Sequence, residues 1–193
     1  FELMYHGQKL ADITLKVPGA HNVLNAVAAC AAALLDGVKP EELAAPLAEF
    51  GGAGRRFELL GEVGGVTIMD DYAHHPAELR VTLEAAKKLD FKKVWAVFQP
   101  FTYSRTKLLF DDFVEVLQIA DRVVLSEIMG SREKNTYNIY SRDLCEKIPG
   151  SVWFNTFEEI RDYVLQNAEP GDLVITLGCG DIYKAAKLML NIQ

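Results

Sequence analysis

The sequence is short of cysteine, of basic residues and of long apolar runs, and each shortage closes off a class of protein. Three cysteines in 193 residues, Cys30, Cys145 and Cys179, share no metal-type spacing, and an odd count closes no disulfide framework. That usage points to a reducing cytosol. Lys+Arg number 20 against 27 Asp+Glu, a net charge of −7, which argues against wrapping nucleic acid or coating an anionic membrane surface. Any phosphate must be held locally, by backbone amides or single basic side chains. The Ala-rich run from Ala26 to Leu35 is too short and too small in side chain to span a bilayer. No G-x-x-x-x-G-K-[ST] phosphate loop occurs in the sequence. The first residue, Phe1, stands in a strand-like stretch with neither Met nor signal peptide, which predicts a piece of a longer protein.

What remains is half apolar, enough for a full core and for one domain plus part of a second. Phe1 to Tyr5 and Leu10 to Val17 read as strands around a His6-Gly7 turn, Gly19 to Leu35 as a helix, and Lys39 to Phe50 as another beginning at Pro40. Two strands and two helices do not close a domain. Beyond the flexible Gly51-Gly52-Ala53-Gly54 stretch, strand-like segments at 57–63, 66–69, 94–98, 122–125, 152–154 and 173–177 alternate with helical ones. The helices fall near 76–89, 107–119, 141–147, 157–167 and 181–190. Such alternation predicts an α/β fold, a Rossmann-like, mostly parallel sheet with helices on both faces.

Asp70-Asp71-Tyr72-Ala73-His74-His75-Pro76 is the densest chemistry in the chain, placed by this reading on the loop between a strand and a helix. A helix cap needs one Asp and accounts for neither His. In a parallel sheet, ligands collect at the carboxyl ends of strands, which nominates 70–75, 99–105, 126–134 and 178–181. Arg105 fits either a carboxylate or phosphate clamp or an exposed residue at a helix start. Gly178-Cys179-Gly180-Asp181 is a strand, turn and helix start able to approach a phosphate, but it lacks the third glycine of the dinucleotide fingerprint. Asn22 and Asn25 share one helix face beside His21, as ligand-reading amides or, for Asn22, as an N-cap. Arg55 and Arg56 either touch a nucleotide or pair with Glu58 or Glu62 on the surface. A metal hydrolase built on Asp70, Asp71, His74 and His75 is disfavoured because adjacent residues on one loop rarely converge on one ion. A nicotinamide oxidoreductase lacks a complete fingerprint with its acidic partner.

Taken in order, Val17-Pro18-Gly19-Ala20-His21-Asn22-Val23-Leu24-Asn25, Gly54-Arg55-Arg56-Phe57-Glu58, the 70–76 cluster, Phe98-Gln99-Pro100 with Tyr103-Ser104-Arg105-Thr106, and Gly178-Cys179-Gly180-Asp181-Ile182 resemble the Mur ligases. The resemblance covers essentially the whole chain. It implies that residues 1–50 are the end of a central ATP-binding domain and 51–193 a C-terminal domain, without the UDP-sugar domain. The activity implied is cytoplasmic peptidoglycan synthesis, and with it cell shape and division. ATP and Mg2+, held mainly elsewhere, would activate the carboxylate of UDP-N-acetylmuramate as an acyl phosphate for attack by L-alanine. Ligation of a recycled tripeptide, or a nucleotide-binding module without turnover, are the alternatives. His21, Asn22 and Asn25 would face the adenine, Arg56 the phosphates and Asp71 the ribose. Tyr72, His74 and Arg105 would line the amino-acid pocket, with closure of the domains at the glycine stretch. No catalytic residue and no metal ligand is implied within these residues. Phe101-Thr102 departs from the His-Arg of many relatives, leaving Arg105 alone on the carboxylate or assisted by Arg132 or Lys134.

Overall fold

The computed structural model describes residues 1–17 and 19–192; Pro18, part of the first motif, and Gln193 lie outside the described residues. The chain divides into two compact units, one running from Phe1 to Gly54 and the other from Arg55 onward.

The first unit opens with an antiparallel hairpin of β1 (Glu2–Tyr5) and β2 (Gln8–Asp12). β2 starts earlier than the expected Leu10 and stops short of Val17. The two-residue turn at His6 and Gly7, both at positive φ, pairs Tyr5 directly with Gln8, and beyond Asp12 only Phe1 is left to pair, exchanging backbone hydrogen bonds with Ile13. Helix α1 (Ala20–Leu35) follows, with Cys30 packed beside Leu3, Ile13 and Leu43. The expected helix over 39–50 is instead a 3-10 turn at Pro40–Glu42 and a separate α2 (Ala44–Glu49). Pro46 explains the break. It has no N–H to give to the carbonyl of Glu42, so it is tolerated only where a helix starts afresh.

The second unit is a six-stranded sheet. Its strands are β3 (Glu58–Val63), β4 (Val66–Asp71), β5 (Val94–Phe98), β6 (Arg122–Leu125), β7 (Val152–Trp153) and β8 (Leu173–Leu177). They lie in the order β3-β4-β8-β5-β6-β7, with β3 antiparallel to β4 and every other pair parallel. Period-2 alternation sends successive side chains to opposite faces. From β5 and β8, Val94, Ala96, Phe98, Leu173, Ile175 and Leu177 enter one core with α3 (Pro76–Ala86), α5 (Phe110–Leu117) and α6 (Ser141–Cys145). Trp95, Val97 and Val174 enter the other, with α7 (Phe157–Asn167) and α8 (Tyr183–Leu190). The α/β sheet with helices on both faces is thus as the alternation implied.

One boundary departs from expectation in a way that matters for the site. The helix expected from Lys107 begins four residues sooner, as α4 (Tyr103–Leu108), and breaks at Leu109 before α5. Arg105 therefore sits within a helical turn directly behind the end of β5. No helix among the described residues is long and apolar enough to cross a membrane.

Both tryptophans belong to the second unit, so their fluorescence follows its unfolding. Phe98 is fully buried and stacks on Phe113 with ring centroids 5.4 Å apart. Replacing it with alanine is expected to cost about 3–5 kcal/mol in urea denaturation; a loss below about 1 kcal/mol would contradict this packing.

Candidate functional site at the carboxyl ends of β4, β8 and β5

The site is built around two carboxylates that the sequence reading put on a loop and that the structure puts in the sheet. Asp70 and Asp71 are the last residues of β4, paired with Thr176 and Leu177 of β8, and are 1% and 6% exposed. Being adjacent on a strand, they face opposite layers. Asp71 points to the α3 side and accepts the amides of Phe57 (2.7 Å) and Ala73 (2.8 Å) and the hydroxyl of Thr82 (3.3 Å). Asp70 accepts the hydroxyl of Thr176 at 2.6 Å and Nε of Arg55 at 2.7 Å. A buried carboxylate is tolerated only when so engaged.

Arg55 spends the rest of its guanidinium on the glycine turn after β8. Nη2 donates to the carbonyl of Gly178 at 2.7 Å and Nη1 to that of Gly180 at 3.1 Å. Its fork lies 5.1 Å from the Tyr72 ring and 4.7 Å from that of Tyr183. Neither the surface pairing with Glu58 or Glu62 nor a free side chain describes it; Glu58 instead takes the Arg55 backbone amide. The turn itself is pressed against the end of β5. A Cβ on Gly180 would strike the side chains of Gln99 and Met129, and Gly178 has φ +142°. Gln99 Oε1 accepts the Asp181 amide at 2.9 Å.

From this base a chain of aromatic and cationic groups runs across the strand ends. The Arg56 guanidinium stands 5.3 Å from the Tyr72 ring, and Tyr72 meets His74 edge-on at 5.6 Å. His74 meets Phe101 at 6.4 Å, and Arg105 lies 6.0 Å from Phe101. The three residues assigned to an amino-acid pocket, Tyr72, His74 and Arg105, are therefore brought together, with Phe101 between the last two. His74 Nδ1 faces two acceptors, the Tyr72 carbonyl at 3.0 Å and Glu78 at 3.3 Å, so its proton belongs on Nδ1 and Nε2 is directed elsewhere. Arg105 Nη1 is buried and has no hydrogen-bond partner. An unpaired buried guanidinium nitrogen is costly, and an anion would satisfy it.

Two further groups shape this corner. Glu133, from the loop after β6, accepts the Ser104 amide and hydroxyl and so fixes the start of α4. The Ser104 hydroxyl, then its amide, hold the Glu133 carboxyl below the usual range. Arg132 and Lys134 on either side of it are exposed. Thr102, just before α4, has φ +65°, a region that costs a β-branched residue on the order of 1–3 kcal/mol. It is held there by bonds from its amide to the Met129 carbonyl and from Thr106 to its own carbonyl. Glu133 and Thr102 both lie in the strand-end segments 99–105 and 126–134 that the sequence nominates, but neither the contact of Glu133 with Ser104 nor the strain at Thr102 is visible there.

The nucleotide candidates are divided between the units. His21, Asn22 and Asn25 open α1 in the first, with His21 folded over Gly19 and the Asn22 amide bonded to the Gly19 carbonyl at 3.1 Å. Arg56 in the second is exposed, and its charge reaches Asp71 and Glu78. Among the described residues no group of three or more His, Cys, Asp or Glu is arranged to hold a metal ion, so these residues do not by themselves fit a Mg2+ cage.

Residues 55–180 match the glutamate ligase domain of the Mur ligases. The chain is 50% identical to the UDP-N-acetylmuramate–L-alanine ligase of Lachnospira eligens and 47% identical to that of Agathobacter rectalis, covering 99% of this chain and 42% of each relative. It thus spans about two fifths of their length. Among solved structures, the UDP-N-acetylmuramate–alanine ligase of Thermotoga maritima superposes with a TM-score of 0.74 at 27% identity, over 93% of this chain and 39% of that one. A murein peptide ligase of Psychrobacter arcticus gives 0.69 at 28%, over 93% and 38%.

Burial pushes the Asp71 carboxyl above its ordinary value, outweighing the amides of Ala73 and Phe57, the Thr82 hydroxyl and the charge of Arg56. The folded chain then binds this proton more tightly than the unfolded chain. The contribution of Asp71 to stability is therefore greatest below the ordinary value of 3.8 and falls as pH rises through the folded value. Carboxyl-carbon NMR titration is expected to show Asp71 ionising above 3.8 and Glu133 below 4.5. Asp71→Asn should remove the falling component of the stability profile; a titration at or below 3.8 would contradict the burial argument.

Proposed function

The chain belongs to the Mur ligase family, and on that premise we propose that it is the amino-acid-holding and nucleotide-contacting part of a ligase joining L-alanine to UDP-N-acetylmuramate at the expense of ATP. The observation that carries this reading is the buried, unpartnered Nη1 of Arg105. It lies at the end of the string of rings Tyr72, His74 and Phe101, where it would seat the carboxylate of a small amino acid.

ATP, when bound with Mg2+, supplies a phosphoryl group that turns the muramate carboxylate into an acyl phosphate, from which an amine displaces inorganic phosphate. The residues here orient rather than react. Arg105 would take the alanine carboxylate by paired N–H bonds, and Tyr72 and His74 would flank the backbone of the amino acid. With Nδ1 held by the Tyr72 carbonyl and Glu78, His74 Nε2 is the ring nitrogen able to face the amine. Arg56, exposed beside Tyr72, would meet nucleotide phosphates; His21, Asn22 and Asn25 would read the adenine. Asp71 already accepts three bonds from its own chain, so a ribose hydroxyl would take the remaining lone pair. Residues 1–50 would be the end of the ATP-binding domain, with Mg2+ held mainly outside this chain. Three free cysteines fit a reducing, cytoplasmic setting.

The resemblance to the murein peptide ligase keeps a tripeptide as the second amine to be tried. The identities of 42–50% to L-alanine ligases favour free alanine.

A hybrid in which this chain replaces the matching segment of the Lachnospira eligens ligase is expected to release phosphate from ATP only with UDP-N-acetylmuramate and L-alanine present. Arg105→Ala should raise KM for alanine about 10- to 100-fold, the weight of a charge-assisted pair. Turnover with L-Ala-γ-D-Glu-meso-diaminopimelate alone would move the assignment to the peptide ligases. The chain by itself, lacking a phosphate loop, is expected to release no phosphate.

A further inference from the structure

We propose that Arg55 is a positioning residue for the amino-acid pocket: its fork fixes the Gly178 to Gly180 turn against the end of β4 and thereby sets where that turn stands beside Arg105. The proposal rests on the reading of this pocket as the alanine seat.

Three donors of one planar group bind three parts of the chain, Asp70 of β4 at 2.7 Å and the carbonyls of Gly178 and Gly180 at 2.7 and 3.1 Å. Those carbonyls belong to residues 108 and more positions from Asp70, so the guanidinium closes a long loop at the very end of the sheet. The rings of Tyr72 and Tyr183 flank it, one on the element that carries the pocket and the other opening α8. The backbone is also committed. Arg55 is left-handed at φ +60°, which costs an L-residue roughly 1 kcal/mol, and its carbonyl accepts the Tyr72 amide at 2.7 Å while its amide donates to Glu58 at 2.6 Å. Main chain and side chain of one residue therefore place both Tyr72 and the glycine turn.

The turn matters because it leads to the segment that carries Arg105. Gly180 is seated on Gln99 and Met129, and the Met129 carbonyl accepts the Thr102 amide at 3.0 Å, directly before α4 and Arg105. A lysine cannot substitute, since one ammonium is a point charge that cannot span a carboxylate and two carbonyls.

Two measurements test this. In the chain itself, amide hydrogen exchange by NMR should quicken about tenfold or more at Gly178 and Asp181 in Arg55→Lys, while Leu173 to Leu177 keep their protection. In the hybrid ligase, Arg55→Lys should raise KM for L-alanine about tenfold with kcat changed less than about threefold. Unchanged exchange at the turn overturns the proposal. Faster exchange with unaltered KM also overturns it, because Arg55 would then be scaffold alone. A hybrid without alanine-dependent turnover before any substitution counts against the alanine reading, and with it against a role for Arg55 in that pocket, whereas turnover that survives with unchanged exchange and KM counts against Arg55 only.

Discussion

Two adjacent carboxylates buried at the end of a strand impose most of what surrounds them. Asp70 and Asp71 point to opposite layers of the sheet, so each must find its own donors. Removing one partner of a buried charge typically costs 3–5 kcal/mol, roughly a third or more of a small domain's whole stability. Asp71 recruits the amides of Phe57, just before β3, and of Ala73, just after Tyr72. Asp70 recruits Thr176 and Arg55, and Arg55 brings the glycine turn with it. The carboxyl ends of β4 and β8 are thereby locked together, and the pocket stands on that lock.

The sheet was legible because its alternation is strict. Val94, Ala96 and Phe98 against Trp95 and Val97 state the two faces of β5 without help from any other segment. The site was less legible. Asp-Asp followed by Tyr-Ala-His-His reads as a loop, because nothing in a single sequence says that donors 15 and 106 positions away will meet the carboxylate of Asp70. For the same reason Arg55 and Arg56 look alike in the sequence, yet one is bound on three sides and the other exposed. Glu133 fell within the nominated 126–134 segment without its role being legible, since its contact with Ser104 crosses 29 residues. The helix over 39–50 failed for a local reason that was readable, Pro46.

Fold and chemistry carry different weights here. The pocket is what separates this chain from its fold. Phe101 places a ring between His74 and Arg105. A strained Thr102 next to it is held by Met129 and Thr106. The result is a corner in which a buried guanidinium nitrogen of Arg105 has no hydrogen-bond partner beside the rings of His74 and Phe101.

The proposed role of Arg105 is to seat a carboxylate, through the buried Nη1 that no group of the chain engages. The most direct measurement is an NMR titration of the Arg105 side-chain N–H resonances in this chain with L-alanine and, separately, with L-alaninamide, which lacks the carboxylate. Saturable shifts are expected with L-alanine and none with the amide. Equal shifts with both, or none with either, would contradict that role.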